Sequence, residues 1–171
     1  MTIDQFQDFV AANIDWFHGR LPETDSSLQH AEEVLSVKLP RTLKWLLKQH
    51  GYWHGTGVSN LNDTVNNTLD ARRYVALPNN FVVLENFQDA GVILINTCEV
   101  TPNDEDPLYW VGMEDVGNPP RLETNSRYDS FGDYVKDRLL SLQDFIEQRY
   151  VRYDPADFPE GRGDGLTNDS C

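Results

Sequence analysis

The side chains in this sequence able to ligate a transition metal are His18, His30, His50, His54, Cys98 and Cys171, and their spacing argues against a metal centre. No pair has the C-x-x-C separation of a structural zinc site. His50 and His54 are four apart, but Gly51 between them ends a helix better than it continues one, so the two imidazoles need not share a helical face. Nucleophilic catalysis fares no better. The chain has no G-x-S-x-G elbow and no catalytic cysteine signature, and Cys98, at the end of an apolar run, reads as a buried thiol. Its glycines form neither G-x-G-x-x-G nor a P-loop. Carboxylates are so abundant that no chosen pair singles out a glycosidase-like site. The sequence therefore assigns no catalytic, cofactor-binding or metal-ligating residue, and a non-enzymatic role is expected.

What the sequence does carry is charge. Asp and Glu total 28 against 14 Lys and Arg, a formal net charge of -14. That surface repels phosphate backbones and anionic lipid, which argues against nucleic acid or a membrane as direct partner and suits a protein with a basic surface. Solubility alone accounts for the acidity equally well. The densest run is Asp104, Glu105 and Asp106, followed by Glu114 and Asp115 beyond the Trp110 segment. Together these read as an acidic patch for Lys and Arg on a partner, or as a solvated loop. Trp53 is a candidate interface anchor and Trp110 another, though a mid-strand Trp serves a core as readily. The candidate partner-binding residues are thus Trp53, Asp104, Glu105, Asp106, Glu114 and Asp115.

These residues need elements to position them. Phe6, Phe9, Val10, Ile14 and Phe17 recur at helical spacing, with Asp4 placed to cap them. Ser26 or Ser27 can cap a second helix burying Leu28, Ala31 and Leu35. Pro40 suits the first turn of a third, with Leu43, Leu46 and Leu47 inward and Gly51 at its end. Residues 52–61 read as loop with a short strand, and residues 63–74 stay ambiguous, a short helix with Leu69 and Arg73 one turn apart being one solution. Phe81 to Leu84 and Val92 to Ile95 are β-rich runs joined by Asp89-Ala90-Gly91, a hairpin whose continuous apolarity requires cover on both faces. Leu108 to Val111 adds a strand and Pro119-Pro120 breaks the chain. Ser130 and Asp133 then open a long helix with Phe131, Val135, Leu139, Leu142 and Ile146 inward. Residues 1–150 are expected to form one domain and residues 151–171 a mobile tail. Helices, then strands, then a helix make an α+β fold: an antiparallel-rich central sheet flanked by N-terminal helices and a long C-terminal helix. With no signal-peptide pattern, no apolar run of roughly 18 residues or more, and no disulfide framework, a cytoplasmic protein is expected.

Several landmarks, in order, resemble the SUKH superfamily, also called the Smi/Knr-like family. They are Ala31 to Pro40, with its acidic residue before a Leu-Pro pair; Leu43 to Gly51; Leu77-Pro78 before the hairpin; Asp89-Ala90-Gly91 with Val92 to Asn96; and the closing Phe131 to Leu139. The resemblance implies an α+β fold and no catalytic residues. In bacteria it implies an immunity protein that binds and neutralises a cognate polymorphic toxin, often a nuclease, and the acidity of the chain fits a basic surface on that toxin. The alternative it implies is an intracellular adaptor or regulator, as for fungal relatives. A small hydrolase is a third reading.

Overall fold

A computed structural model of the chain describes residues 1–53, 55, 57–117 and 127–151, with side chains as far as residue 147. Helices α1 (Ile3–Ala12), α2 (Asp25–Leu35), α3 (Arg41–His50) and α4 (Leu61–Tyr74) precede strands β1 (Phe81–Asn86), β2 (Val92–Asn96), β3 (Leu108–Val111) and β4 (Arg127–Tyr128), and α5 (Phe131–Val151) closes the chain. The strands form one antiparallel meander in the order β1-β2-β3-β4. This is the expected α+β architecture.

Each of the first two helices starts where a side chain satisfies its free N–H groups, two or three residues earlier than the sequence suggested. Thr2 caps α1 in a reciprocal box with Gln5, and Thr24 caps α2 in the same way with Ser27. Asp4, Ser26 and Ser27 lie inside the first turns instead, where the backbone is already helical, and Ser27 acts there as the box partner whose hydroxyl accepts the Thr24 N–H at 2.9 Å. The α1 stripe also ends early. Phe6 and Val10 are buried, the helix stops at Ala12, and a 3-10 turn leaves Ile14 exposed before Phe17 re-enters the core. Gly51 takes φ +71 at the end of α3, a conformation that favours glycine.

The hairpin pairs Val82 with Ile95 and Val83 with Leu94, with a register shift between Val83 and Glu85. Alternation divides its apolar run between two clusters. Val82, Ile93, Ile95 and Leu108 join the main core with residues of α1, α2, α3 and α5. Val83, Leu94, Tyr109 and Val111 form a second cluster on the other face, closed by Leu77, Val116 and Ala71 of α4. The continuous apolarity thus does reflect cover on both faces.

Residues 63–74 belong to a full four-turn helix, α4. Its fully buried positions are Leu61, Thr64 and Thr68, and Leu69 faces solvent, which is why apolar periodicity did not reveal it. The closing helix runs further than its apolar residues require and buries Tyr134 along with Phe131, Val135 and Leu139, while Leu142 and Ile146 are half-buried. His54, Pro119-Pro120 and residues 152–171 lie outside the described residues.

Candidate interaction surface

The acidic residues singled out from the sequence fall at opposite ends of β3. Asp104, Glu105 and Asp106 precede the strand beside Leu108, which pairs with Ile95; Glu114 and Asp115 follow it beyond Val111, which pairs with Val92. The intervening strand, roughly 13 Å long at about 3.3 Å per residue, separates the two groups.

The first group is largely built into the fold. Glu105 is buried, and its carboxylate accepts the Thr42 hydroxyl at 2.7 Å and the Thr42 backbone N–H. Pro40, the N-cap of α3, offers no side-chain hydrogen bond, so a carboxylate from a distant loop satisfies that helix terminus and favours its dipole. Burial raises the Glu105 pKa, partly offset by the Thr42 hydrogen bonds and by Arg41. Thr101 holds the loop from behind, donating its N–H and hydroxyl to the Glu105 carbonyl, each at 2.9 Å. Asp106 is half-buried, and burial followed by the charges of Glu105 and Asp104 pushes its pKa up to about 6. Only Asp104 of the three stands in solvent, 3.7 Å from Arg41.

Glu114 and Asp115 are exposed on a 3-10 turn, Met113–Asp115, which packs against the turn Gln88–Ala90 of the hairpin. Trp53 is half-buried, with its ring 6.2 Å from Trp16 and a β-bridge to Val58. Trp110 is half-buried against the main core, 5.1 Å from Phe87.

Two features have no counterpart among the residues singled out from the sequence. Lys38, Arg41, Lys44 and Lys48 line one cleft of about 530 Å³ between α2 and α3. The spacing of Arg41, Lys44 and Lys48 along α3 (i, i+3, i+7) was the available signal. Glu32 anchors this cleft, bonded to Lys44 at 2.8 Å, Lys38 at 3.1 Å and the Leu39 N–H at 2.9 Å. The other feature is a shallow groove between α4, the hairpin and the Met113 turn.

No group of three or more His, Cys, Asp and Glu among the described residues is arranged to hold a metal ion. His50 sits between the rings of Phe17 and Trp45, and burial lowers its pKa despite a hydrogen bond with the Phe17 backbone. The expectation of a buried Cys98 is corrected: β2 ends at Asn96, and the thiol beyond it is exposed.

The fold is thus a meander of four antiparallel strands flanked by helices, with several of its charged residues serving as caps and helix ties. The family model SUKH_5, described as SMI1-KNR4 cell-wall, matches residues 3–140, and the chain belongs to that family. No curated protein matches the chain. None of the described helices is long and apolar enough to cross a membrane.

Proposed function

We propose that this chain is an immunity protein that binds a cognate protein toxin in the cytoplasm and neutralises it. Membership of the SMI1-KNR4 family carries the reading, because that family supplies protein-interacting immunity and regulatory domains. The net charge of -14 supports a partner with a basic surface. Nucleases are such partners, since they grip phosphate with Lys and Arg. The cell-wall description of the matching family favours a second reading, an intracellular adaptor of the Smi/Knr type.

Calorimetric titration with the purified toxin domain encoded by the adjacent gene, at two salt concentrations and with toxin activity followed in parallel, tests this. Tight binding that weakens with salt and abolishes activity is expected. Absence of binding, or binding that leaves the toxin fully active, removes the immunity reading in favour of the adaptor.

A further inference from the structure

An apolar floor and an acidic rim meet in the groove between α4, the hairpin and the Met113 turn. Val83, Val92 and Val116 of the second core cluster line it, and Tyr74, Val75 and Met113 stand around it 69%, 39% and 40% exposed. Single exposed apolar side chains are ordinary, but here three gather around one depression backed by core residues. Asp70 also lines the groove, and exposed Glu114 and Asp115 flank Met113 on its turn. Asp89 lies on the hairpin turn packed against them. Of the nearby cations, one is held by backbone carbonyls and the other is held on a ring of the groove's own rim. Arg72 is spent on the carbonyls of Leu35, Asn79 and Phe81, and Arg73 lies over the Tyr74 ring at 5.1 Å.

We propose that this groove is where the partner docks, and that it receives a protein segment with one large apolar side chain flanked by Lys or Arg. The proposal rests on the immunity reading and names its surface. The volume, about 220 Å³, is below the roughly 300–1,000 Å³ of small-molecule pockets and suits a single anchoring side chain. A second copy of the chain is disfavoured, because a symmetric contact here sets Asp70, Glu114 and Asp115 against their own equivalents. A basic segment removes that repulsion, and its anchor covers Tyr74 and Met113.

The test uses the full ¹⁵N-labelled chain with three probes: the purified toxin domain, a capped peptide KRLWRK, and the charge-matched peptide KRGGRK. The structure predicts amide shifts at residues 71–75 and 113–117 with the toxin and with KRLWRK, and none localised there with KRGGRK. Tyr74→Ala and the double variant Glu114→Lys, Asp115→Lys alter exposed residues, and each is expected to keep the parent melting temperature while weakening toxin binding at least tenfold. Toxin binding with shifts elsewhere and unchanged affinity in both variants overturns the groove and leaves the immunity reading standing. A wild-type chain that ignores the toxin but takes KRLWRK in the groove does the opposite: the immunity reading falls, and the groove stands as a site for basic segments with an apolar anchor. Loss of the groove shifts for every probe, or a concentration-dependent dimer that buries these same amides, also overturns the proposal.

Discussion

The backbone N–H of Val83 on β1 donates to the Thr68 hydroxyl of α4 at 2.9 Å, and that hydroxyl donates to the Thr64 carbonyl at 2.7 Å. Because β1 is an edge strand, this N–H has no strand to pair with, and the helix supplies its acceptor inside the protein. Thr68→Val keeps the shape but removes the oxygen, leaving a buried donor unpaired. We expect a loss of about 1–3 kcal/mol in urea unfolding and faster hydrogen exchange at the Val83 amide. Thr68→Ser keeps the acceptor and is expected to preserve that amide's protection. Unchanged stability and exchange in the Val variant would show that the bond contributes nothing.

Glu32 joins α2 to the turn that launches α3. Burial acts to raise its pKa, but the hydrogen bonds from Lys44, the Leu39 N–H and Lys38, with the charge of Lys44, together hold it below the usual carboxylate range. A folded pKa below the unfolded value means stability that is complete above about pH 4.5 and is lost as pH falls through the lowered value. Glu32→Gln should therefore cost about 1–3 kcal/mol near pH 7, with the gap between variant and parent closing in more acid buffers. Melting temperatures of both proteins between pH 3 and 7 decide this. A gap that does not change with pH would mean the carboxylate acts by shape alone.

The same two contacts show what was legible in the sequence. The hairpin was, because Val82, Val83, Ile93 and Leu94 belong to an apolar run that needs no distant partner to be recognised as strand. The acidic residue at Glu32 was visible as a landmark, but not its three bonds, which depend on how the turn folds back. Helix α4 was obscured because its inward face carries Thr64 and Thr68, residues whose burial makes sense only beside an edge strand. Glu105 looked like surface charge because its role as the cap of α3 joins positions 63 residues apart. The groove was invisible for a similar reason, since Tyr74 and Met113 come together only when α4 and the hairpin pack.

Tyr134, fully buried on α5, donates its hydroxyl to the Gly57 carbonyl at 2.9 Å and so holds the α3–α4 connection against the closing helix. Gly57 has φ +70, and a Cβ there would overlap the Tyr134 hydroxyl. Gly57→Ala thus combines backbone strain with a clash and is expected to destabilise by about 2 kcal/mol or more. Tyr134→Phe removes only the hydrogen bond and is expected to cost about 1–1.5 kcal/mol. Introducing Gly57→Ala into the Phe background should cost less than in the parent, because the overlapping hydroxyl is gone. Strict additivity in denaturant melts would show that the two residues do not interact.

Asp106 carries the opposite pH signature to Glu32. Burial, then the charges of Glu105 and Asp104, push its pKa up to about 6, well above an ordinary Asp. A folded pKa above the unfolded value means the native state holds the proton more tightly, so ionisation destabilises it. The penalty is absent below about pH 4, grows as pH rises toward 6, and is complete above it. Asp106→Asn removes the charge and should raise stability by on the order of 1–2 kcal/mol at pH 7.5. The gain should fade as both proteins are taken toward pH 4. Subtracting parent from variant melting curves at matched pH cancels the contribution of Glu32, so a gain that persists unchanged at pH 4 would place its origin in packing rather than in the charge.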